Sequence, residues 1–352
     1  MAKLRVLVAE DSQTVRMRIV ETLNADPDID VIGEAENGQQ AIELCLRARP
    51  DVITMDMMMP AMSGLSATEY IMAHQPTPIL IVSASFNRGE MFKIYDALAA
   101  GAVDVLEKPT GGEPEGVWEG RLVAGVKLVA RIKVITHPRA RLIPGRRFVT
   151  EMTPVAQKPS AGSPLKVVAI GASTGGPGAI LEVLKALPPG FDVPVLIVLH
   201  MNEPFGAAFT DWLDAQIERR VTAAQDGGSI AEARGHVLVA PCGKHLVVSQ
   251  GRTYLTREAE RHSCRPSVDV LFESVATEFG PTAAACLLTG MGKDGAGGLL
   301  RIREAGGFTI AQDKATSIVY GMPREAALLG AAERVLPLDD IGRAISARVG
   351  AR

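Results

Sequence analysis

A single serine in a glycine-rich turn constrains this chain more than any other sequence feature. Ser173 lies in the stretch GASTGG (171–176), directly after the apolar run LKVVAI (165–170). That run contains several β-branched residues and predicts a buried strand. Pro177 follows the turn and suits the first turn of a helix, because it has no N–H to leave unpaired there. The sequence therefore predicts a strand, a turn and a helix, with Ser173 at the carboxyl end of the strand.

Two later apolar runs place polar side chains in equivalent positions. VPVLIVLHM (193–201) carries His200 at its end, and AAACLLTGMGKDG (283–295) breaks into a glycine turn before Asp294. Because open α/β sheets gather their sites at the carboxyl ends of parallel strands, we expect these side chains to meet. A serine hydroxyl needs a base to take its proton and a carboxylate to orient that base. The three residues therefore predict a hydrolase site with a serine nucleophile.

Two other functions are compatible with the same turn. Glycines after a strand also cradle phosphates in dinucleotide folds, which would make this half an oxidoreductase. His200 argues against that interpretation, because a ribose-binding fold more often has an acid at the end of its second strand. Alternatively, this half is a catalytically silent binding module. A cofactor-binding titration tests the first alternative, and labelling by a serine-directed fluorophosphonate tests the second.

The segments GASTGG, HM at His200 and TGMGKDG (289–295) together resemble the chemotaxis protein-glutamate methylesterase family. RPSVDVLF (265–272), VLVAPCGKHL (237–246) and IVYGMPREA (318–326) fit the same family. The resemblance implies a Rossmann-like serine hydrolase that needs no cofactor and acts on chemoreceptors, hydrolysing glutamyl methyl esters and deamidating glutamines. It also implies these residue roles: Ser173 as nucleophile, His200 as base, Asp294 as its orienting partner, and the N–H of Met291 in the oxyanion hole. Thr174 directly follows the nucleophile, and its N–H is the candidate for a second donor.

The first third of the chain carries a second set of polar residues at predicted strand ends. RVLVAED (5–11) and DVITMD (51–56) end in acids, which can hold a hard divalent cation. ILIVSA (79–84) and VDVLEKP (103–109) supply a hydroxyl and a lysine for a phosphoryl group. This pattern resembles the response-regulator receiver domain, with Glu10 where Asp is more usual and Val105 where an aromatic residue is usual. The resemblance implies Asp56 as the phosphoacceptor for a histidine kinase, Mg²⁺ on Glu10, Asp11, Asp56 and the Met58 carbonyl, and phosphate contacts from Ser83 and Lys108.

These features predict an α/β protein with two doubly wound parallel-sheet domains, a flavodoxin-like receiver and the Rossmann-like hydrolase. We place the receiver at 1–135, including a helix over 117–135, a linker rich in Pro and Arg at 136–163, and the hydrolase at 164–352. The basic stretch at 131–147 is interpreted as a solvated tether and not as a nucleic-acid patch. Such a tether lets the unphosphorylated receiver pack over the esterase site and inhibit it.

Composition bears on location and on partner classes. The chain has 352 residues, a net charge of −3 and only 4% aromatic residues, which argues against nucleic acid as a partner. No apolar run approaches the length of a membrane span, so we expect no membrane insertion. The four cysteines form no C-x-x-C pair, which indicates reduced thiols and a cytoplasmic location.

Overall fold

The structure is a computed structural model that describes residues 3–84, 88–109, 114, 116–132, 134, 164–201 and 205–349. Its two main sheets are both entirely parallel and have five and seven strands. Helices follow most strands, as the alternation of apolar runs and helical segments predicts. The predicted α/β class with two parallel-sheet units is confirmed.

The first unit is a five-stranded sheet with the strand order β2-β1-β3-β4-β5. That order is the flavodoxin-like one, in which the crevice for ligands lies where the strand order reverses, beside β1 and β3. Its strands are Leu4–Ala9 (β1), Ile29–Ala35 (β2), Val52–Met55 (β3), Ile79–Ser83 (β4) and Asp104–Glu107 (β5). Its helices are Gln13–Asn24 (α1), Gly38–Ala48 (α2), Gly64–His74 (α3), Arg88–Ala99 (α4) and Val117–Val129 (α5).

The last of these helices is shorter than the sequence pattern predicts. Apolar spacing predicts a helix over 117–135, whereas α5 ends at Val129 and residues 130–132 form a turn. The N–H of Ala130 bonds to the carbonyl of Val126 and completes the last helical turn. Ile132 and Val134 are β-branched, which disfavours further helix. The predicted linker at 136–163 lies outside the described residues, and the domain boundaries stay predictions.

The second unit has a seven-stranded sheet with the order β14-β13-β12-β6-β7-β9-β8. Its strands, including a separate antiparallel hairpin of β10 and β11, are Val167–Ala172 (β6), Val195–Leu199 (β7), Val221–Ala223 (β8), Val237–Val239 (β9), His245–Ser249 (β10), Arg252–Thr256 (β11), Ala283–Leu287 (β12), Phe308–Gln312 (β13) and Arg334–Leu336 (β14). Its helices are Gly176–Lys185 (α6), Phe205–Gln216 (α7), Val268–Phe279 (α8), Ala296–Glu304 (α9), Met322–Leu328 (α10) and Leu338–Val349 (α11), with one 3₁₀ turn at Gly280–Thr282.

The strand order of the second sheet indicates where its ligand-binding crevice lies. From β6 the chain builds outward through β7 on one side and through β12 on the other, so the order reverses between β6 and β12. All residues of β6, β7 and β12 are buried, which agrees with strands covered by helices on both faces. The crevice at such a reversal is where open α/β sheets bind ligands. Ser173, His200 and Asp294 follow these three central strands.

The two units contact each other through α4, which packs against α6 and α7. The Tyr95 hydroxyl of α4 donates to the carbonyl of Phe205 and lies 2.9 Å from Met201 Sδ. Trp212 of α7 donates its indole N–H to Asp96 over 2.9 Å, and its ring stacks on Tyr95 with centroids 5.3 Å apart. The receiver therefore touches the segment that directly follows His200.

Within the described ranges, every helix is too short or too polar to cross a lipid bilayer.

Candidate active site and phosphorylation site

The turn that carries Ser173 is held in place by the loop after β12. The Ser173 N–H donates to the carbonyl of Thr289 over 3.0 Å, and the Thr289 hydroxyl donates to the carbonyl of Thr174 over 3.0 Å. On the helix side, the Gly176 N–H donates to the Ser173 carbonyl over 2.7 Å. Ser173 is half-buried. Its backbone is held by the loop after β12 on one side and by the first residue of α6 on the other.

Close approach of the same loop brings the predicted oxyanion donors near the serine. A Cβ on Gly290 would lie 2.8 Å from the Cβ of Ser173, so only glycine fits at this contact. Met291 follows Gly290 and is 41% exposed. In the part of the chain that the structure describes, the backbone N–H groups of Thr174 and Met291 donate no hydrogen bond. Both are thus available to a substrate oxygen.

His200 and Asp294 form a directly bonded pair. His200 Nε2 lies 2.8 Å from Asp294 Oδ2. The Asp294 carboxylate is buried at the amino end of α8, where it accepts hydrogen bonds from the Ser267 hydroxyl at 2.7 Å and from the Val268 N–H at 2.7 Å. The Asp269 N–H adds a third at 3.1 Å. A helix amino terminus stabilises a carboxylate, so Asp294 is a fixed negative charge beside the imidazole.

The pKa of Asp294 lies below its ordinary value and the pKa of His200 lies above it, as expected when the two groups stabilise each other's charged forms. Burial alone would raise the pKa of Asp294, but hydrogen bonds from His200 and Ser267 outweigh it and hold that pKa below its ordinary value. Burial alone would lower the pKa of His200, but its hydrogen bonds with Asp294 and Cys264 raise it to about 9. Asp294 therefore stabilises the charged form of the imidazole.

The predicted contact between Ser173 and His200 is not made in this conformation. Among the described residues, the Ser173 hydroxyl has no hydrogen-bond partner. With Nε2 held by Asp294, the ring nitrogen that remains for Ser173 is Nδ1, which lies 3.7 Å from Cys264 Sγ. Catalytic hydrogen bonds are often long or misaligned without substrate, so the side chains must adjust before the serine can lose its proton.

Three residues near the site were missed by sequence reasoning: Ser267, Thr289 and Cys264. Ser267 precedes the apolar run of α8 and has the ordinary sequence signal of an N-cap, which it is. Cys264 lies two residues after His262 in the sequence. Its thiol contacts the His262 carbonyl, while the His262 ring pairs with Asp269 at 3.1 Å. No local sequence signal places Cys264 against His200.

Ser173 and His200 open into a cleft of about 640 Å³ between the two units. One wall carries Thr174, Met201, Cys264 and Arg265 beside them, and the other wall is the receiver strand β5 with its continuation to Lys108. The cleft therefore joins the candidate active site to the end of the receiver that carries its own polar cluster.

That second cluster surrounds Asp56 at the carboxyl edge of the receiver sheet. Lys108 Nζ lies 3.0 Å from Asp56 Oδ2 and 2.8 Å from Glu10 Oε2, while the Ser83 hydroxyl donates to Asp56 Oδ1 over 3.4 Å. Glu10 and Asp56 are buried, and Asp11 is exposed. The structure therefore brings together the predicted acids, hydroxyl and lysine. The N–H of Met58 faces the Asp56 carboxylate, and a ligand role for the Met58 carbonyl stays a prediction.

The three carboxylates fit a hard divalent cation. Oxygens of Glu10, Asp11 and Asp56 all lie within 4.8 Å of one another. Burial raises the pKa of Glu10 to about 7 and also raises the pKa of Asp56, as expected for acids crowded together without enough positive charge. Glu10 Oε2 is buried and accepts no hydrogen bond, although Lys108 Nζ is near. Carboxylate oxygens of this kind are the ligands that Mg²⁺ prefers.

Comparison with known proteins agrees with both clusters. A family model described as CheB methylesterase matches residues 168–345, and one described as response regulator receiver domain matches residues 6–114. A protein-glutamate methylesterase/protein-glutamine glutaminase of Nitrosospira multiformis is 42% identical over 354 residues, covering 99% of this chain and 98% of the relative. A relative of the same name from Pseudomonas aeruginosa is 42% identical over 353 residues, covering 97% of this chain and 96% of the relative.

Among solved structures, the catalytic domain of the CheB methylesterase of Thermotoga maritima is 34% identical, with a TM-score of 0.50. The aligned region covers 53% of this chain and 99% of that domain. The resemblance inferred from the sequence is thereby confirmed, and the two alternatives for the second unit, an oxidoreductase and a silent binding module, give way to the hydrolase. With a receiver followed by a hydrolase sheet, and relatives that match it from end to end, the chain belongs to the protein-glutamate methylesterase/protein-glutamine glutaminase family.

Proposed function

We propose that this chain hydrolyses glutamyl methyl esters and deamidates glutamines on chemoreceptors, with Ser173 as its nucleophile and phosphorylation of Asp56 as its control. The observation that carries the proposal is the arrangement at the sheet reversal. His200 is bonded to a buried Asp294 and opens into the same cleft as Ser173. A serine, an imidazole and an orienting carboxylate are the groups that acyl transfer requires.

In the proposed reaction, Ser173 Oγ attacks the carbonyl carbon of the glutamyl side chain. His200 Nδ1 takes the hydroxyl proton, because Nε2 is engaged with Asp294. The imidazolium then gives that proton to the leaving group, which departs as methanol from an ester or as ammonia from an amide. Water attacks the acyl-enzyme with His200 again as base, and glutamate and free Ser173 are regenerated.

Charge on the substrate oxygen is stabilised by the N–H groups of Thr174 and Met291. Both lie on turns tied to Ser173, and neither donates to another described residue. Donors that are already oriented need no rearrangement when the oxyanion forms, and each is worth about 3 kcal/mol in the transition state.

In the receiver, Asp56 accepts a phosphoryl group from a histidine kinase. Glu10, Asp11 and Asp56 would hold Mg²⁺, which when bound offsets the negative charge of the incoming phosphoryl group. Lys108 and Ser83 already contact Asp56, and a phosphoryl group adds roughly two negative charges where they can respond.

The unphosphorylated receiver inhibits the esterase in this proposal. Its strand β5 forms one wall of the cleft, and Tyr95 contacts Met201 and Phe205 beside His200. A receptor helix must enter that cleft, so a docked receiver competes with it. Phosphorylation then favours the undocked state. We place the enzyme in the cytoplasm, where kinase and receptor helices are accessible; its four free cysteines suit a reducing compartment.

A serine-directed fluorophosphonate tests the nucleophile. Only a serine activated by a base reacts, so mass spectrometry should find one adduct, on Ser173, and none in His200→Ala. Ser263→Ala is the matched control, because Ser263 lines the same cleft and should leave labelling unchanged. An adduct on another serine, or equal labelling of Ser173→Ala, would contradict the assignment.

A further inference from the structure

The thiol of Cys264 is positioned against the one ring nitrogen of His200 that Asp294 does not use. Cys264 Sγ lies 3.7 Å from His200 Nδ1, and both residues line the open cleft. Across the ring, Nε2 is held by Asp294 at 2.8 Å. His200, Cys264 and Asp294 thus form a cluster in which one nitrogen, one sulfur and one carboxylate oxygen lie within 4.8 Å of one another. The proposed acyl transfer uses the bond between His200 and Asp294 but has no role for the thiol of Cys264.

The separation of sulfur and nitrogen matches that of two ligands on one zinc ion. Zinc binds thiolate sulfur at about 2.3 Å and imidazole nitrogen at about 2.0 Å with tetrahedral angles, which places the two ligand atoms about 3.6 Å apart. The 3.7 Å observed here therefore requires almost no movement of either side chain. A hydrogen bond between the thiol and the imidazole has a similar length, and the cobalt titration described below separates the two.

The surroundings of His200 also suit a metal ligand. Imidazole ligands of zinc characteristically donate their other N–H to a carboxylate, which fixes the ring and increases its basicity. Asp294 supplies that carboxylate and is itself fixed by Ser267 and Val268. The remaining zinc positions face the cleft of about 640 Å³ and are open to water.

We propose that Cys264 Sγ and His200 Nδ1 form a binding site for Zn²⁺ or a similar thiophilic divalent ion, and that the bound ion inhibits the esterase. The inhibitory part rests on the proposed function, since the metal would occupy the lone pair that must take the Ser173 proton. The site differs in chemistry from the receiver cluster, whose candidate ligands are all oxygen atoms. Thiolate selects zinc over magnesium, so the two sites take different ions.

Cobalt(II) titration of the full chain tests the site without using activity. Co²⁺ replaces Zn²⁺ in thiolate sites and gives an intense thiolate-to-cobalt charge-transfer absorption, which carboxylate sites lack. We expect this absorption to saturate at one equivalent in the wild type and to vanish in Cys264→Ser and in Cys264→Ala. Cys242→Ser and His262→Ala are the matched controls and should retain it. Absence of the absorption in the wild type, or its persistence without Cys264, overturns the site.

Methanol release from methylated receptor tests inhibition, with each variant normalised to its own zinc-free rate. The wild type should lose at least tenfold in rate at saturating Zn²⁺ and none with Mg²⁺, while Cys264→Ser should be at least tenfold less sensitive to Zn²⁺. Cobalt binding at Cys264 without zinc inhibition overturns the inhibitory role. A failure of the proposed function itself is distinct, since the metal-free wild type would then release no methanol.

Discussion

Asp294 is the residue on which the geometry of the candidate site depends most. Four donors surround its carboxylate, namely His200, the Ser267 hydroxyl and two N–H groups of α8. Ser267 has two functions there, because its hydroxyl donates to Asp294 and accepts from the Val270 N–H as the N-cap of α8. It is thus a positioning residue for the histidine, acting through Asp294.

Replacing Ser267 should therefore affect both rate and stability. We expect Ser267→Ala to reduce kcat about tenfold, with a smaller effect on KM, because one hydrogen bond to a charged group is lost. It should also cost about 1 kcal/mol of the free energy of unfolding through loss of the cap. Ser63→Ala is the control, since Ser63 caps α3 in the receiver by accepting from the Ser66 N–H. Unfolding curves and methanol release separate the effects; equal kcat losses in both variants would contradict the positioning role.

The raised pKa of His200 predicts a pH dependence for the esterase. The neutral imidazole is the active base, and a pKa raised to about 9 keeps the ring protonated at neutral pH. The rate should therefore increase by about tenfold per pH unit up to about 9 and then level off. Initial rates of methanol release by the unphosphorylated full chain measure this. A rate that is flat between neutral pH and 9 would contradict the assignment of His200 as the base.

Asp294→Asn tests whether the rising limb of the pH–rate profile reflects the ionisation of His200 or of another group. The substitution removes the carboxylate that holds the proton on His200, so the limb should move to lower pH. The maximal rate should fall by up to about ten-thousandfold, because the imidazole then holds the wrong tautomer. If the limb stays in place while the rate falls, another group titrates there.

At the residue scale, the sequence predicts where a side chain lies when its position in the fold follows from local pattern. Ser173, His200 and Asp294 each follow a buried strand, and parallel strand ends meet at one edge. The sequence does not predict the position of Cys264, which lies on an irregular segment between β11 and α8 whose path no periodicity predicts. The sequence also could not predict that Ser173 and His200 form no hydrogen bond in this conformation, because side-chain rotamers depend on packing.

At the scale of elements, α4 connects the two clusters. Lys93 Nζ donates to Met58 Sδ beside the phosphoacceptor loop at 3.4 Å, and Tyr95 and Asp96, two and three residues on, contact the hydrolase unit. A shift of this one helix therefore affects both sites.

Tyr95→Phe should weaken receiver docking without unfolding either unit. Removing the hydroxyl removes the hydrogen bond from Tyr95 to the Phe205 carbonyl, at a cost of about 1 kcal/mol, which corresponds to about a fivefold change in the docking equilibrium. We therefore expect basal methanol release by the unphosphorylated chain to rise up to about fivefold. Tyr70→Phe is the control, because Tyr70 lies on an exposed face of α3. A decrease in basal rate for Tyr95→Phe would contradict inhibition by docking.

Element types were predictable because apolar runs and glycine turns alternate so regularly. The central strands occur at the predicted places, within two residues at each end of β6 and β7. Helix α5 is the exception, since apolar spacing continues past Val129 while helix does not. The docking of α4 on α7 was not predictable, because Tyr95, Asp96 and Trp212 carry no signal that they pair across units.

At the scale of the whole molecule, the two units have separate sheets and meet at α4 and around the cleft. A chain of residues 164–352 retains the complete seven-stranded sheet. It should hydrolyse methylated receptor several-fold faster than the unphosphorylated full chain, because β5 no longer forms the opposite wall. Equal initial rates would refute occlusion and leave the receiver to act by recruitment.

The central claim is that Ser173 releases methanol under the control of Asp56. Its most direct measurement is the initial rate of methanol release from purified methylated receptor, with and without a small-molecule phosphodonor and Mg²⁺. We predict that the phosphodonor increases the rate of the wild type and leaves Asp56→Asn at its basal rate. Ser173→Ala should release no methanol with or without the phosphodonor. Methanol release by Ser173→Ala at even a tenth of the wild-type rate, or equal activation of Asp56→Asn, would contradict the account.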